Sequence, residues 1–78
     1  MTMSKLTDKE KELVRIGTAI GSNCIACIEY HIPQARKAGL SDDQIRLAIN
    51  IAKGVKKVPA DMVLQAALDL LKIHADVD

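Results

Sequence analysis

Two cysteines, one histidine and one carboxylate stand at spacings that suit thiol–disulfide chemistry. Cys24 and Cys27, the only cysteines in the chain, form a single C-x-x-C. His31 follows the second and Glu12 precedes the first, giving Glu-x11-Cys-x2-Cys-x3-His. Residues three and four apart share a helix face, so Cys24, Cys27 and His31 can line one stripe. One thiol then has a base beside it and a second thiol one turn away, the minimum needed to make and break a disulfide. A cysteine at a helix start lies near free N–H groups and the positive end of the dipole, both of which favour the nucleophilic thiolate; Cys24 holds that position. His31, one turn beyond Cys27, can take the thiol proton or stabilise the thiolate as imidazolium. Glu12 lies on the preceding helix. It can orient His31 or relay its proton if the short link Gly21-Ser22-Asn23 folds that helix back.

Each residue also has a plainer use. Small apolar cysteines often serve as core, His31 can be a satisfied core histidine, and Glu12 stands among surface types such as Asp8, Lys9 and Glu10. Zinc is a sharper competitor: Cys24, Cys27 and His31 are credible ligands, with His74 or Glu12 as a fourth. Structural zinc sites usually place two ligands on a knuckle and group the other two elsewhere, whereas His74 is isolated near the C-terminus. Haem attachment needs a histidine directly after the second cysteine, and Ile28 stands there.

The bulk numbers bound the rest. A chain of 78 residues, 49% of them hydrophobic, reads as one folded domain over 1–78 and not as a disordered segment. A chain this short buries its surface poorly alone, and a C-x-x-C bridge closes too small a loop to staple a fold, so homo-oligomerisation is expected to complete it. The formal charge is +1 and Tyr30 is the only aromatic residue, a poor basis for nucleic-acid binding. Lys53, Lys56 and Lys57, the one basic cluster, read as a helix C-terminus complementing its macrodipole. Residues Met1 to Lys5 hold no apolar core of a signal peptide, and no apolar stretch is long enough to span a membrane. A cytoplasmic location and no membrane partner are therefore expected. In a reducing compartment C-x-x-C points to redox or metal chemistry.

Four helices are expected to position these residues, making the fold all-α. Thr7 and Glu10 form a capping box that opens the first, with Leu13, Ile16, Gly17 and Ile20 on one face. Asn23 reads as the N-cap of a second helix beginning at Cys24 and running to Lys37 or Ala38, with Gly39 just past its end. Pro33 inside it predicts a kink or a break. Ser41 and Gln44 form a second capping box, with Leu40 and Ile45 as its hydrophobic staple. The third helix carries Ile45, Leu47, Ala48, Ile49, Ile51, Ala52 and Val55, and Pro59 suits the first turn of a fourth, which carries apolar residues from Met62 to Ile73. These last two are apolar nearly all round, so a second subunit is expected against them.

The residues Glu12, Gly21 to His31 and Ala38 to Ile45 together resemble the carboxymuconolactone decarboxylase family, and within it the alkylhydroperoxidase D-like branch. The resemblance spans roughly Glu12 to Lys57. It implies an all-helical fold with the site on a helical hairpin, symmetric homo-oligomers (often trimers or hexamers), and thiol-based peroxide reduction without a cofactor or metal. Carried over by position, Cys27 is the peroxidatic thiol, Cys24 the resolving thiol, and His31 and Glu12 the proton relay. The residues taken alone instead favour Cys24, the cysteine nearer the dipole; the two views meet if Cys24 faces an external reductant while Cys27 faces the peroxide. Some branch members carry a histidine between the cysteines, where this chain has Ile25 and Ala26. The expected function is that of a thiol-dependent peroxidase or disulfide reductase, with a peroxide or disulfide substrate and an external dithiol reductant. The alternatives are a non-enzymatic metal-binding or partner-binding module and, more weakly, the lactone decarboxylase activity, which does not work through such a cysteine pair.

Overall fold

The computed structural model describes residues 5–75, which form three α-helices: α1 (Asp8–Gly21), α2 (Ile25–Lys37) and α3 (Asp42–Ala75). The expectations placed on Met1 to Ser4 lie outside the described residues, as does the His74 side chain.

Both capping boxes form. The Glu10 amide donates to Thr7 Oγ1 at 3.1 Å while Glu10 Oε1 accepts from the Thr7 amide at 2.8 Å. At the start of α3, Gln44 and Ser41 exchange the same pair of bonds at 3.1 and 2.9 Å. Each box satisfies two amides that the first helical turn leaves unpaired. The bond from the Thr7 amide holds the Glu10 carboxyl below its ordinary range. A bond from Arg36 Nε, 2.9 Å from Asp42 Oδ1, does the same for Asp42.

The first connection corrects one expectation. Asn23 does not cap α2; it ends α1. Its amide donates to Ile20 O at 3.2 Å and that of Cys24 to Ala19 O at 2.9 Å. These are the paired bonds of a Schellman motif, which places its C′ residue in the left-handed region. Asn23 has φ 58°, and asparagine tolerates that conformation better than most residues. The role of N-cap passes to Cys24, whose sulfur accepts from the Cys27 amide at 3.2 Å. The second connection repeats the motif as expected. Leu40 donates to Ala35 O at 3.1 Å and Gly39, at φ 100°, to Arg36 O at 3.0 Å. That φ calls for glycine; a Cβ on residue 39 would meet only the flexible end of Lys9, 3.0 Å from its Cε, which can move aside.

The prolines correct a second expectation: there are three helices, not four. α2 continues through Pro33, and α3 runs 34 residues straight past Pro59. Each proline removes one bond to the carbonyl four residues back. Those carbonyls belong to Glu29 and Val55, both exposed residues, so water can replace the lost partner. The stretch Val55 to Val58 offers no cap or turn residue at which a helix would stop.

α1 packs along both other helices, while α2 and α3 touch little. The buried core is small: Ile16, Ala35, Leu40 and Ile45, with Leu13, Ile20, Ile28, Ile32 and Ala48 against it. The Leu40–Ile45 staple is part of this core. Beyond it α3 projects free. At about 1.5 Å per residue it is roughly 50 Å long, and the radius of gyration is 18.5 Å, against about 11–12 Å for a compact domain of this length. Met62, Val63, Leu64, Leu68, Leu70 and Leu71 are all exposed on the projecting half. Among the described residues no helix is long and apolar enough to cross a membrane.

Candidate functional site

The site is built where α1 returns alongside α2. Cys24 and Cys27 form a disulfide across the first turn of α2, with Cα atoms 5.2 Å apart. Because Cys24 is the N-cap, its sulfur takes the place of the oxygen that usually accepts from the first turn. In the reduced protein the same amide would donate to a Cys24 thiolate, so the helix start favours that anion through a direct bond as well as through the dipole. Both cysteines are half-buried. A cleft of about 340 Å³ opens over Cys24, lined by Ala19, Ile20, Asn23, Ile25, Ile28 and Lys56. Neither Cys27 nor His31 lines it, so the two sulfurs face different surroundings.

Among the described residues Glu12 is the buried polar one, at 6% exposure. Its Oε2 lies 3.2 Å from His31 Nδ1, across the α1–α2 packing. Its Oε1 accepts from Arg15 Nη1 at 2.7 Å. With an ionised Glu12, Nδ1 is the ring nitrogen that carries the proton, which leaves Nε2 free to act as base. Tyr30 meets the His31 ring edge-on, with centroids 5.0 Å apart. His31 stands one turn beyond Cys27 on α2 and therefore on its side of the helix. All four residues singled out by spacing are thus placed in two adjoining pairs, Cys24 with Cys27 and His31 with Glu12.

Two residues belong beside them that the sequence reading passed over. Arg15 holds the second oxygen of Glu12, a pairing that its i,i+3 spacing could have suggested. Lys56 crosses from α3 to donate to Ile20 O at 3.1 Å and to the Asn23 side chain. No local signal announces a contact between residues so far apart in sequence. It also overturns the expectation for the lysine cluster, since Lys53, Lys56 and Lys57 fall in the middle of α3 and not at its C-terminus. The macrodipole that Lys56 complements is that of α1, whose Ile20 carbonyl it meets in the last turn. Lys57 pairs instead with Asp61 at 3.5 Å.

Among the described residues no three His, Cys, Asp or Glu side chains converge as a metal site would require. The two sulfurs are bonded to each other, and His31 turns Nδ1 to Glu12.

No curated protein and no solved structure matches the chain. The model of the carboxymuconolactone decarboxylase family matches residues 1–71, nearly the full length, and the chain belongs to that family.

Proposed function

We propose that this protein is a thiol-dependent peroxidase or disulfide reductase of the alkylhydroperoxidase D-like branch, working through Cys24 and Cys27 with His31 and Glu12 as a proton relay. The observation that carries this reading is the pairing of a disulfide at a helix N-terminus with a part-buried Glu12–His31 contact one turn further along α2. In the reduced protein His31 takes the Cys27 proton, and the Cys27 thiolate attacks the nearer oxygen of a hydroperoxide. The O–O bond breaks, Cys27 becomes a sulfenic acid, and the departing alkoxide takes the proton from His31. Cys24 then attacks the sulfenic sulfur, water leaves, and the Cys24–Cys27 disulfide forms. An external dithiol resets it by two exchange steps and is itself oxidised.

Mass spectrometry of the intact protein tests this. Mild peroxide should remove two hydrogens from the reduced chain, and a dithiol should restore them. A chain whose mass does not change, or that gains only zinc, favours the non-enzymatic module instead. The lactone decarboxylase reading has less support, because nothing in that chemistry uses the disulfide.

The same reading includes a cytoplasmic single domain over 1–78 that assembles as a homo-oligomer, a trimer or hexamer. α1 and α3 leave an apolar groove of about 780 Å³, walled by Leu13, Val14, Leu47, Ile51, Val55 and others. The groove-facing stripe of α3 continues past Pro59 through Met62, Ala66 and Leu70, at helical spacing. The projecting half of α3 thus has the length and apolar character to fill the groove of a second copy, and its wide apolar arc supports further contacts. Light scattering at micromolar concentration should find no monomer. Leu70→Glu, at an exposed position, should shift the assembly towards smaller species; a monomeric wild type overturns the assembly.

A further inference from the structure

We propose that Lys56 is the positioning residue for the exchange step at Cys24: it fixes the turn that presents the sulfur and supplies the positive charge that draws an attacking thiolate to it. This rests on the redox reading above and extends it to a residue on α3. Three observations carry the inference. Lys56 is the only charged residue among those lining the cleft over Cys24, and the rest of the lining is apolar apart from Asn23. Its ammonium binds the Ile20 carbonyl and the Asn23 side chain, both within the Schellman turn that leads into Cys24. An ammonium has three N–H donors; these two bonds use two, and among the described residues no third acceptor takes the last.

The charge matters because the step is anionic throughout. An external thiolate attacks the Cys24 sulfur, the Cys24–Cys27 bond breaks, and its electron pair leaves as a Cys27 thiolate that takes a proton from His31 or water. A second external thiolate then attacks the external sulfur of the mixed disulfide. The product is an external disulfide and a Cys24 thiolate, with two electrons delivered to the protein. Negative charge enters the cleft with the first thiolate and remains on Cys24 after the second. The helix start of α2 and the Lys56 ammonium stabilise it from two sides. A lysine that only braced the turn would be indifferent to the charge of the incoming thiol.

That indifference gives the test. The wild-type disulfide is reduced at low ionic strength by two small thiols of opposite charge, 2-mercaptoethanesulfonate and cysteamine, and the ratio of rates is compared with those of K56Q and K56R. Glutamine keeps a donor for the turn without the charge, and arginine keeps the charge. Circular dichroism checks that each variant keeps its helices, with K56M as a second neutral variant should glutamine disturb them. The anionic-to-cationic rate ratio should fall about fivefold in K56Q, return in K56R, and in the wild type fall as salt screens the charge. A ratio unchanged in the neutral variants overturns the role of Lys56 and leaves the redox reading standing. A wild-type disulfide that neither thiol reduces overturns both.

Discussion

Cys24→Ser should abolish the intramolecular disulfide and, after oxidation without dithiol, leave a sulfenic acid on Cys27 that a dimedone-type probe can trap. The substitution is a clean one. Serine is among the best N-cap residues, so its hydroxyl can accept from the Cys27 amide where the Cys24 sulfur now does. α2 should therefore start at the same residue and keep His31 against Glu12. What disappears is the second sulfur, and with it condensation to the disulfide. Without dithiol the variant should consume one equivalent of peroxide and gain one oxygen, where the wild type loses two hydrogens. The reciprocal Cys27→Ser settles the order of events. The position carried over from the family makes Cys27 the attacked thiol, next to the His31 base. The N-cap bond and the open cleft favour Cys24 as the stabilised thiolate facing the reductant. If both assignments hold, Cys27→Ser should fail to consume even the first equivalent. Rapid trapping of a Cys24 sulfenic acid in that variant would reverse the roles. Peroxide that yields only intermolecular dimers would remove the intramolecular pair from the mechanism.

What the sequence made legible was what is decided within a few residues. The capping boxes at Thr7 and Ser41, the Leu40–Ile45 staple and the left-handed Gly39 all follow from local chemistry, and all are present. The cysteine pair was equally local. The errors came where a residue type has two uses. Asparagine suits both an N-cap and a left-handed helix end, and only the bonds to Ile20 and Ala19 show that Asn23 does the second. Proline suits a first turn but is tolerated mid-helix where the freed carbonyl faces water, and so two expected helices are one. Glu12 was undecidable from sequence, standing after the surface types Asp8, Lys9 and Glu10, because its burial is imposed by α2 lying against α1. Lys56 was beyond reach for the same reason, since its partners come from α1 and the turn after it. The apolar character of α3 was plain in the sequence. The structure adds its geometry: a rod whose outer half leaves Met62, Leu64, Leu68 and Leu71 exposed.

His31→Ala should give a large loss of peroxide reduction, about 10²–10⁴-fold if the imidazole acts as general base, and should shift thiol alkylation at Cys27 to higher pH. The proposed relay divides its duties between two residues. Nδ1 faces Glu12 at 3.2 Å, so Nε2 is the nitrogen left for the thiol proton. Glu12 fixes that tautomer, as a carboxylate behind a catalytic imidazole does, while Arg15 anchors its other oxygen at 2.7 Å. Glu12→Gln keeps an oxygen that can accept from Nδ1 and a shape that fits the same space. It removes the charge and one acceptor, so with the oxygen kept on Nδ1 the amide nitrogen displaces Arg15, which is exposed enough for water to replace the lost bond. Its effect should run in the same direction as that of His31→Ala and be smaller, because Glu12 acts through His31. Arg15→Ala should be weaker again, since that side chain is half-exposed at 50% and solvent can replace it. The double variant His31→Ala, Glu12→Gln should lose little more than His31→Ala alone, because residues that act as a unit are not additive. The measurement is the pH dependence of Cys27 alkylation and of peroxide consumption in the wild type, the three single variants and the double. A Glu12→Gln profile identical to wild type would make Glu12 a buried packing residue that merely meets Arg15. A His31→Ala profile identical to wild type would leave the disulfide without its base. The N-terminus of α2 would then be the sole source of thiol activation, and the mechanism would move to Cys24.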